Sequence, residues 1–221
     1  MKGHREADNE MYYRAISLFS SKKKVKILEL GCAGEESIKK IRMLFPHAEI
    51  HGVEYEGWRG KFEKFPELES LHFLDLNKDD FPFEHESFDF IFCNQVLEHI
   101  YEIDAALEKI YSILKKNGYF ICGTPNLAAV HERISLLFGF NPSTWHTANI
   151  QLGLRYPAST NHRTHCNGFT ITGLKRLLKY HRFKPQKYLV SEVYLGKNFY
   201  IPFFSKLFKG FALSQCWISQ K

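Results

Sequence analysis

Between Val25 and Pro125 the chain keeps repeating one pattern: a short β-rich apolar run, then a segment with helical spacing. The runs are "VKILEL" (25–30), "AEIHGVEY" (48–55), "LHFLDL" (71–76), "FDFIFCNQ" (88–95) and "YFICGT" (119–124). The fourth is the most apolar and should be buried on both faces. "ESIKKIRMLF" (36–45) spaces Ile38, Ile41, Met43 and Leu44 as a helix does, and "EIDAALEKIYSILKKNG" (102–118) does the same with Ile103, Ala106, Leu107, Ile110 and Leu114. Gly118, just after Lys115 and Lys116, reads as the C-cap of that second helix. Strands alternating with helices imply an α/β fold, a parallel sheet covered on both faces. Helices are also expected over 10–21, 128–140 and 170–183, with Thr170 as an N-cap. "QKYLVSEVYL" (186–195) and "FALSQCWIS" (211–219) add two strands, and a link of only ~15 residues between them suits an antiparallel pair.

In a sheet of this kind ligands bind beyond the carboxyl ends of the strands. The candidate site therefore gathers Gly31–Gly34, Glu54, Asp75, Asn94–Gln95 and Thr124–Asn126. The loop in "KILELGCAGEES" (26–37) decides which ligand. A dinucleotide site needs G-x-G-x-x-G, and the matching positions here are Gly31, Ala33 and Glu36. Pyrophosphate would lie beside Glu35 and Glu36, where like charges in a poorly solvated site cost several kcal/mol or more. Without an anion, the same two carboxylates face the helix dipole favourably. No G-K-[ST] follows, so a phosphate-binding loop is excluded as well. A nucleoside ligand without phosphate removes the conflict. Glu54, ending the second strand, can accept hydrogen bonds from both ribose hydroxyls, and Asp75, ending the third, can accept from an adenine amino group. Either acid is, on its own, equally a solvated strand cap.

With those residues in place the chain resembles the class I S-adenosylmethionine-dependent methyltransferases of the small-molecule type (the type 11/12 group). "ILELGCAG" is similar to the family's first motif, "GVEYE" to its second-strand acid, and "LDLNKDDFPFEHESFDFIFCNQVLEHI" to the stretch from the adenine acid to the helix after strand four. "LKKNGYFICGTPN", "HCNGFTITGLKRLLKYHRFKP" and "SQCWISQK" resemble later family segments, so the likeness spans about 24–221. It implies a Rossmann-like, seven-stranded, mostly parallel sheet with an antiparallel final strand and helices on both faces. It implies S-adenosyl-L-methionine as cofactor, held by Glu29, Gly31, Ala33, Glu54, Tyr55, Asp75, Leu76 and Asn94. It also implies methyl transfer to a small-molecule acceptor. The first motif departs from G-x-G-x-G at Ala33 and Glu35, which keeps open a second reading: a non-catalytic partner or regulatory protein that binds the cofactor and retains the fold. Some ubiquinone-pathway relatives carry E-x-x-E-H after strand four and use a divalent metal. Here that segment opens with Gln95, so Glu98 and His99 read as structural and no metal is expected.

Methyl transfer to an alcohol needs a base for the hydroxyl proton. His165, in the H-x-x-x-F-T segment, is the first candidate for base or acceptor contact, ahead of His162 and His146. With 11 histidines in the chain, a packing or surface role is the competing reading for each. His162 and His165 form H-x-x-H, but no acid lies near them in sequence. Residues 127–168 are expected to form a lid over the acceptor, with Phe140, Trp145 and Tyr156 lining a pocket or packing the lid itself.

Length and charge set the remaining expectations. The 221 residues fit one domain, 1–221, burying roughly 70% of the unfolded surface. Five scattered cysteines with no CxxC pair, a polar start and no long apolar run suit reduced thiols in a cytoplasmic protein. The charge is lopsided: residues 1–165 carry a net −3, residues 166–221 a net +9. That basic end suits an acidic substrate, an anionic membrane or nucleic acid, or is simply a solvated face. The aromatics and lysines of "KNFYIPFFSKLFKGF" (197–211) suit peripheral contact with a membrane surface, while nucleic acid is disfavoured because no recognised RNA-binding motif accompanies the charge.

Overall fold

The computed structural model describes residues 4–32, 35–59, 65–145, 152–153, 165–194, 200–201 and 204–221. Its centre is a seven-stranded sheet built from β1 (Lys26–Leu30), β2 (Glu49–Tyr55), β3 (Ser70–Leu74), β4 (Phe88–Asn94), β5 (Leu114–Pro125), β6 (Lys184–Val190) and β9 (Ser214–Gln220). They lie in the order β3-β2-β1-β4-β5-β9-β6. β1 pairs parallel with β2 and β4, β2 with β3, and β4 with β5; β9 runs antiparallel between β5 and β6. Two short strands, β7 (Val193–Tyr194) and β8 (Tyr200–Ile201), form a separate ribbon. The order reverses between β1 and β4, so their carboxyl ends flank the crevice where such sheets take ligands.

One face of the sheet packs on α3 (Ile103–Ile113) and α5 (Ile171–Tyr180) through Leu107, Ile110, Leu174 and Leu178. The other packs on α1 (His4–Ser17) and α2 (Glu35–Leu44) through Met11, Tyr12, Ile16, Ile38 and Ile41. β4 splits its side chains between the two, sending Ile91 and Cys93 to the first and Phe92 to the second. That is why it reads as an unbroken apolar run. The Thr170 hydroxyl accepts the Gly173 N–H and caps α5 as expected.

Several expectations need correction. The helix over 102–118 stops at Ile113, and β5 begins at Leu114. Gly118 is therefore a strand residue and no C-cap. The carbonyls of Ser112 and Ile113, orphaned by the helix end, accept the N–H groups of Glu86 and Ser87 instead. Asn117 takes the left-handed turn at φ 62°, and the β4–β5 register shifts between Phe88 and Phe90. α1 begins earlier than the expected 10–21 and ends sooner, and its buried stripe is Met11, Tyr12, Ala15 and Ile16. In α2 the buried partners of Ile38 and Ile41 include Phe45, whereas Met43 is 79% exposed. α4 covers Val130–Leu137, shorter than 128–140.

Candidate functional site

Gly31 follows β1 with φ 77° and gives its N–H to the Val53 carbonyl, tying the loop to β2. A Cβ there would stand 2.4 Å from Val96 Cγ2. Both the backbone angle and the space require glycine. Gly31→Ala should cost about 1–3 kcal/mol from the strained φ alone. A chemical-unfolding midpoint indistinguishable from the parent would contradict this. Ala33, expected to touch the cofactor, lies outside the described residues, as do Gly34 and the side chain of Glu35.

Around Gly31 the strand ends bring buried polar groups together. Glu29, near the end of β1, takes the Ser37 hydroxyl on one oxygen, and its other oxygen has no partner. Burial pushes its pKa up to about 8, and Glu54 adds repulsion. Glu54 on β2 accepts the Tyr55 N–H on Oε1 at 2.8 Å, while its buried Oε2 has no partner among the described residues; burial raises its pKa too. Asn94 ends β4, with Nδ2 3.3 Å from Asn9 Oδ1 and its buried Oδ1 unpartnered. The Thr124 hydroxyl on β5 is likewise buried without a partner. Native proteins seldom leave such groups unsatisfied. A ligand rich in hydroxyl and amine donors, carrying no phosphate, fits this set.

The remaining expected contacts are arranged around that cluster. The Tyr55 ring is 54% exposed at the end of β2 and lies over Gly57. Asp75, just beyond β3, already accepts the N–H and the side-chain amide of Asn77 on Oδ1, with Lys78 3.6 Å from Oδ2. Burial works to raise its pKa, but these bonds outweigh it and hold the group below its ordinary value. Leu76 packs against the core cluster of α3 and α5.

The sequence reading did not bring α1 to the site. Its first turns reach the same end of the sheet, where Asp8 is bonded by Ser214 and Ser191 and burial pushes its pKa to about 7. The signal was present, since Asp8 precedes Met11, Tyr12 and Ala15 on one helical stripe. A groove of about 730 Å³ between α1 and α2 is lined by Asn9, Tyr13, Glu36 and Lys40, but by none of Glu54, Asp75 or Asn94. It is a neighbour of the cleft and not the cleft itself.

His165 lies beyond β4, beside the turn Leu97–His99. Its Nδ1 is 2.7 Å from the Thr144 carbonyl, which can only accept, so Nδ1 is the donor. The N–H groups of Cys166 and Asn167 both bond the Glu98 carbonyl, fixing the segment to the turn. Thr144 and Ser143 in turn give their N–H groups to the buried Glu132. Burial raises the Glu132 pKa, but the bonds from His131, Ser143 and Thr144 outweigh it, so the group stays ionised. The expectation of no metal rested on Gln95 and on the missing acid near His165 in sequence. The fold supplies one: Glu98, His99 and His165 have ligand atoms within 4.8 Å of one another. His146, Tyr156 and His162 lie outside the described residues. Trp145 gives its indole N–H to the Cys166 carbonyl.

A family model described as "Methyltransferase domain" matches residues 2–187. The crystal structure of an S-adenosylmethionine-dependent methyltransferase from Archaeoglobus fulgidus superposes with a TM-score of 0.62 at 16% identity, covering 98% of this chain and 96% of that one. A Haloferax volcanii methyltransferase solved in complex with the Trm112 activator gives 0.61 at 12% identity, covering 96% and 92%. Among curated proteins, the ubiquinone/menaquinone biosynthesis C-methyltransferase UbiE of Brucella canis is 34% identical over 55 residues, 25% of this chain. The chain spans about a fifth of the length of that relative. With the family match over most of its length, the chain belongs to the methyltransferase-domain family.

Proposed function

We propose that the protein methylates a hydroxyl oxygen on a small-molecule acceptor, a glycan, a lipid-linked sugar or a quinone-like precursor. The cofactor is held by Glu29, Gly31, Ala33, Glu54, Tyr55, Asp75, Leu76 and Asn94, and supplies the methyl group on a positively charged sulfur. One observation supports the choice of a hydroxyl: the His165 imidazole is anchored through Nδ1 to the Thr144 carbonyl and lies beside Glu98 and His99. An alcohol must lose a proton as it attacks, and a fixed basic group serves that step. Positioning and exclusion of water supply much of the remaining acceleration. The whole chain, 1–221, acts as one domain, and 127–168 is its acceptor-side lid. Glu132 pins the described part of that lid through Ser143 and Thr144.

The reading of the acceptor as lipid-linked has its own support. Leu136, Leu137, Phe138 and Phe140 are exposed at the end of α4, and Leu207 and Phe208 are exposed near the carboxyl end of the chain. The Arg133 guanidinium sits 4.9 Å from the Phe211 ring and links the two. From residue 133 to the end, Glu192 is the only acid in the sequence. Exposed apolar side chains in a part of the chain rich in cations and poor in acids suit an anionic membrane surface. Among the described residues no helix is long and apolar enough to cross a membrane.

The test is methyl-labelled cofactor incubated with the pure protein and with separate lipid and polar extracts. Label is expected in the lipid extract as an ether methyl, with S-adenosylhomocysteine released in equal amount. Label on carbon or nitrogen would sink the hydroxyl assignment. Binding of the cofactor without label in any extract would favour the non-catalytic alternative. The membrane contact is read separately, by co-sedimentation with phosphatidylglycerol vesicles, which Leu137→Glu with Phe138→Glu should abolish.

A further inference from the structure

We propose that Ser70 is a nucleophilic serine, activated by His51 and Glu49, in a second site that cleaves small carboxylic esters. The site lies at the amino-terminal ends of β2 and β3, where His51 and Ser70 stand opposite each other in register, at the far end of the sheet from the cofactor cleft. Glu49 Oε1 is 2.9 Å from His51 Nε2, and His51 Nδ1 is 2.8 Å from the Ser70 hydroxyl. A nucleophile bonded to a base that is itself oriented by a third group is the arrangement that lets a serine attack. Bonds from His51 and Lys26 hold the Glu49 carboxyl below its ordinary value, so it is ionised and can only accept. Nε2 of His51 is therefore the donor, and in the neutral ring Nδ1 is left to accept the Ser70 proton. His72 Nε2 lies 2.9 Å from the same hydroxyl oxygen and donates to its other side, which leaves the Ser70 O–H aimed at His51. Serine proteases use the two ring nitrogens in the opposite order, with the same relay of roles.

The surroundings hold these groups and leave room beside them. His51 is 9% exposed and meets the Phe83 and Phe88 rings edge-on, and His72 meets Phe83 in the same way, so packing fixes both imidazoles. A cavity of about 260 Å³ adjoins them, with Ser70, His72, Phe83 and Ser87 in its wall. The buried Ser87 hydroxyl has no partner among the described residues and is the donor available to a carbonyl oxygen. In the reaction Ser70 Oγ bonds to the ester carbonyl carbon as its proton passes to His51 Nδ1. The carbonyl π pair moves onto the oxygen and then returns as the C–O bond to the alcohol breaks. The alcohol leaves with the proton from Nδ1. Water attacks the acyl-serine by the same steps, and ester plus water become acid plus alcohol. A cavity of this size admits a short acyl chain.

The test uses the full chain and needs no methyl acceptor. A fluorophosphonate probe should form a covalent adduct, with loss of fluoride, that peptide mass spectrometry maps to Ser70. p-Nitrophenyl acetate should be hydrolysed with many turnovers per protein molecule, and Ser70→Ala and His51→Gln should each slow it by about a hundredfold or more. Glu49→Gln, which keeps an acceptor for Nε2, should retain more of the rate than Glu49→Ala. The acetate should be cut at least about tenfold faster than p-nitrophenyl decanoate, whose chain is too long for the cavity. A cooperative unfolding transition like the parent's shows that a variant has folded. Should Ser70→Ala fail that check, the mapped adduct on the parent decides. The proposal is overturned if no adduct forms on Ser70, if p-nitrophenolate appears only in a single stoichiometric burst from acylated lysines, or if turnover survives Ser70→Ala. Equal rates on the acetate and the decanoate would overturn the assignment to short esters.

Discussion

Glu54→Ala should weaken S-adenosylhomocysteine binding by about two to three orders of magnitude without destabilising the unliganded protein. The carboxylate lies at the end of β2 at 5% exposure, with Oε1 on the Tyr55 N–H and Oε2 buried and unpartnered. Hydrogen bonds to a charged group contribute about 1.5–3 kcal/mol each, and a ribose offers two hydroxyl donors to this one carboxylate. Losing both costs about 3–5 kcal/mol, and each ~1.4 kcal/mol is a factor of ten in affinity. Without ligand the balance runs the other way. Removing a buried oxygen that nothing satisfies relieves a desolvation penalty, so the unfolding midpoint should hold or rise. Glu54→Gln, which keeps one acceptor oxygen, should fall between parent and alanine. Calorimetric titration with S-adenosylhomocysteine beside urea unfolding of the same samples reads both halves. An affinity within about threefold of the parent would remove Glu54 from the ribose site.

The parts of this molecule that follow from local chemistry were legible in the sequence. The alternating apolar runs located the strands of the sheet, and the two acids expected at strand ends, Glu54 and Asp75, lie near the end of β2 and just beyond β3. Glu35 and Glu36 argued against pyrophosphate from charge alone. What was not legible depends on contacts between distant segments. α3 ends at Ile113 because the N–H groups of Glu86 and Ser87 reach its last carbonyls, and no local rule reports that. Asp75 fell where a strand-ending acid was expected, yet one of its oxygens is spent on the Asn77 turn. That Glu98 and His99 lie beside His165 was not legible, because His165 is far away in the chain. Met43 kept helical spacing and still faces solvent, since a period identifies a stripe but not its edges.

The unliganded protein should lose stability steadily as the pH rises from about 5 to 8, and cofactor binding should reverse much of that loss. Asp8 is pushed to about 7, and Glu29 and Glu98 to about 8, in each case chiefly by burial. Their folded pKa values exceed those of the unfolded chain, so the folded state holds protons that the unfolded state has released. The stability this brings is complete below the unfolded values near 4 and is lost as the pH rises through the folded ones. Each such group changes the folded-to-unfolded ratio by at most about tenfold per pH unit. His72, whose pKa is lowered by burial and by His51, works in the opposite sense, but it is one partly exposed side chain against three buried acids. Acids held below their ordinary values, Glu49 and Glu132 among them, matter only as the pH falls through the acid range. The unfolding midpoint should therefore peak near pH 5 and drop toward pH 8. An ammonium beside Glu29 and hydroxyls on Glu54 favour the ionised carboxylates, so binding above pH 6 should expel protons. Titrations in buffers of different ionisation enthalpy would register that release as a buffer-dependent heat. A flat stability profile from pH 5 to 8 would mean that the strand-end acids stay ionised without ligand. The unpartnered oxygens would then be solvated in the free protein, and the cleft would be open before the cofactor arrives.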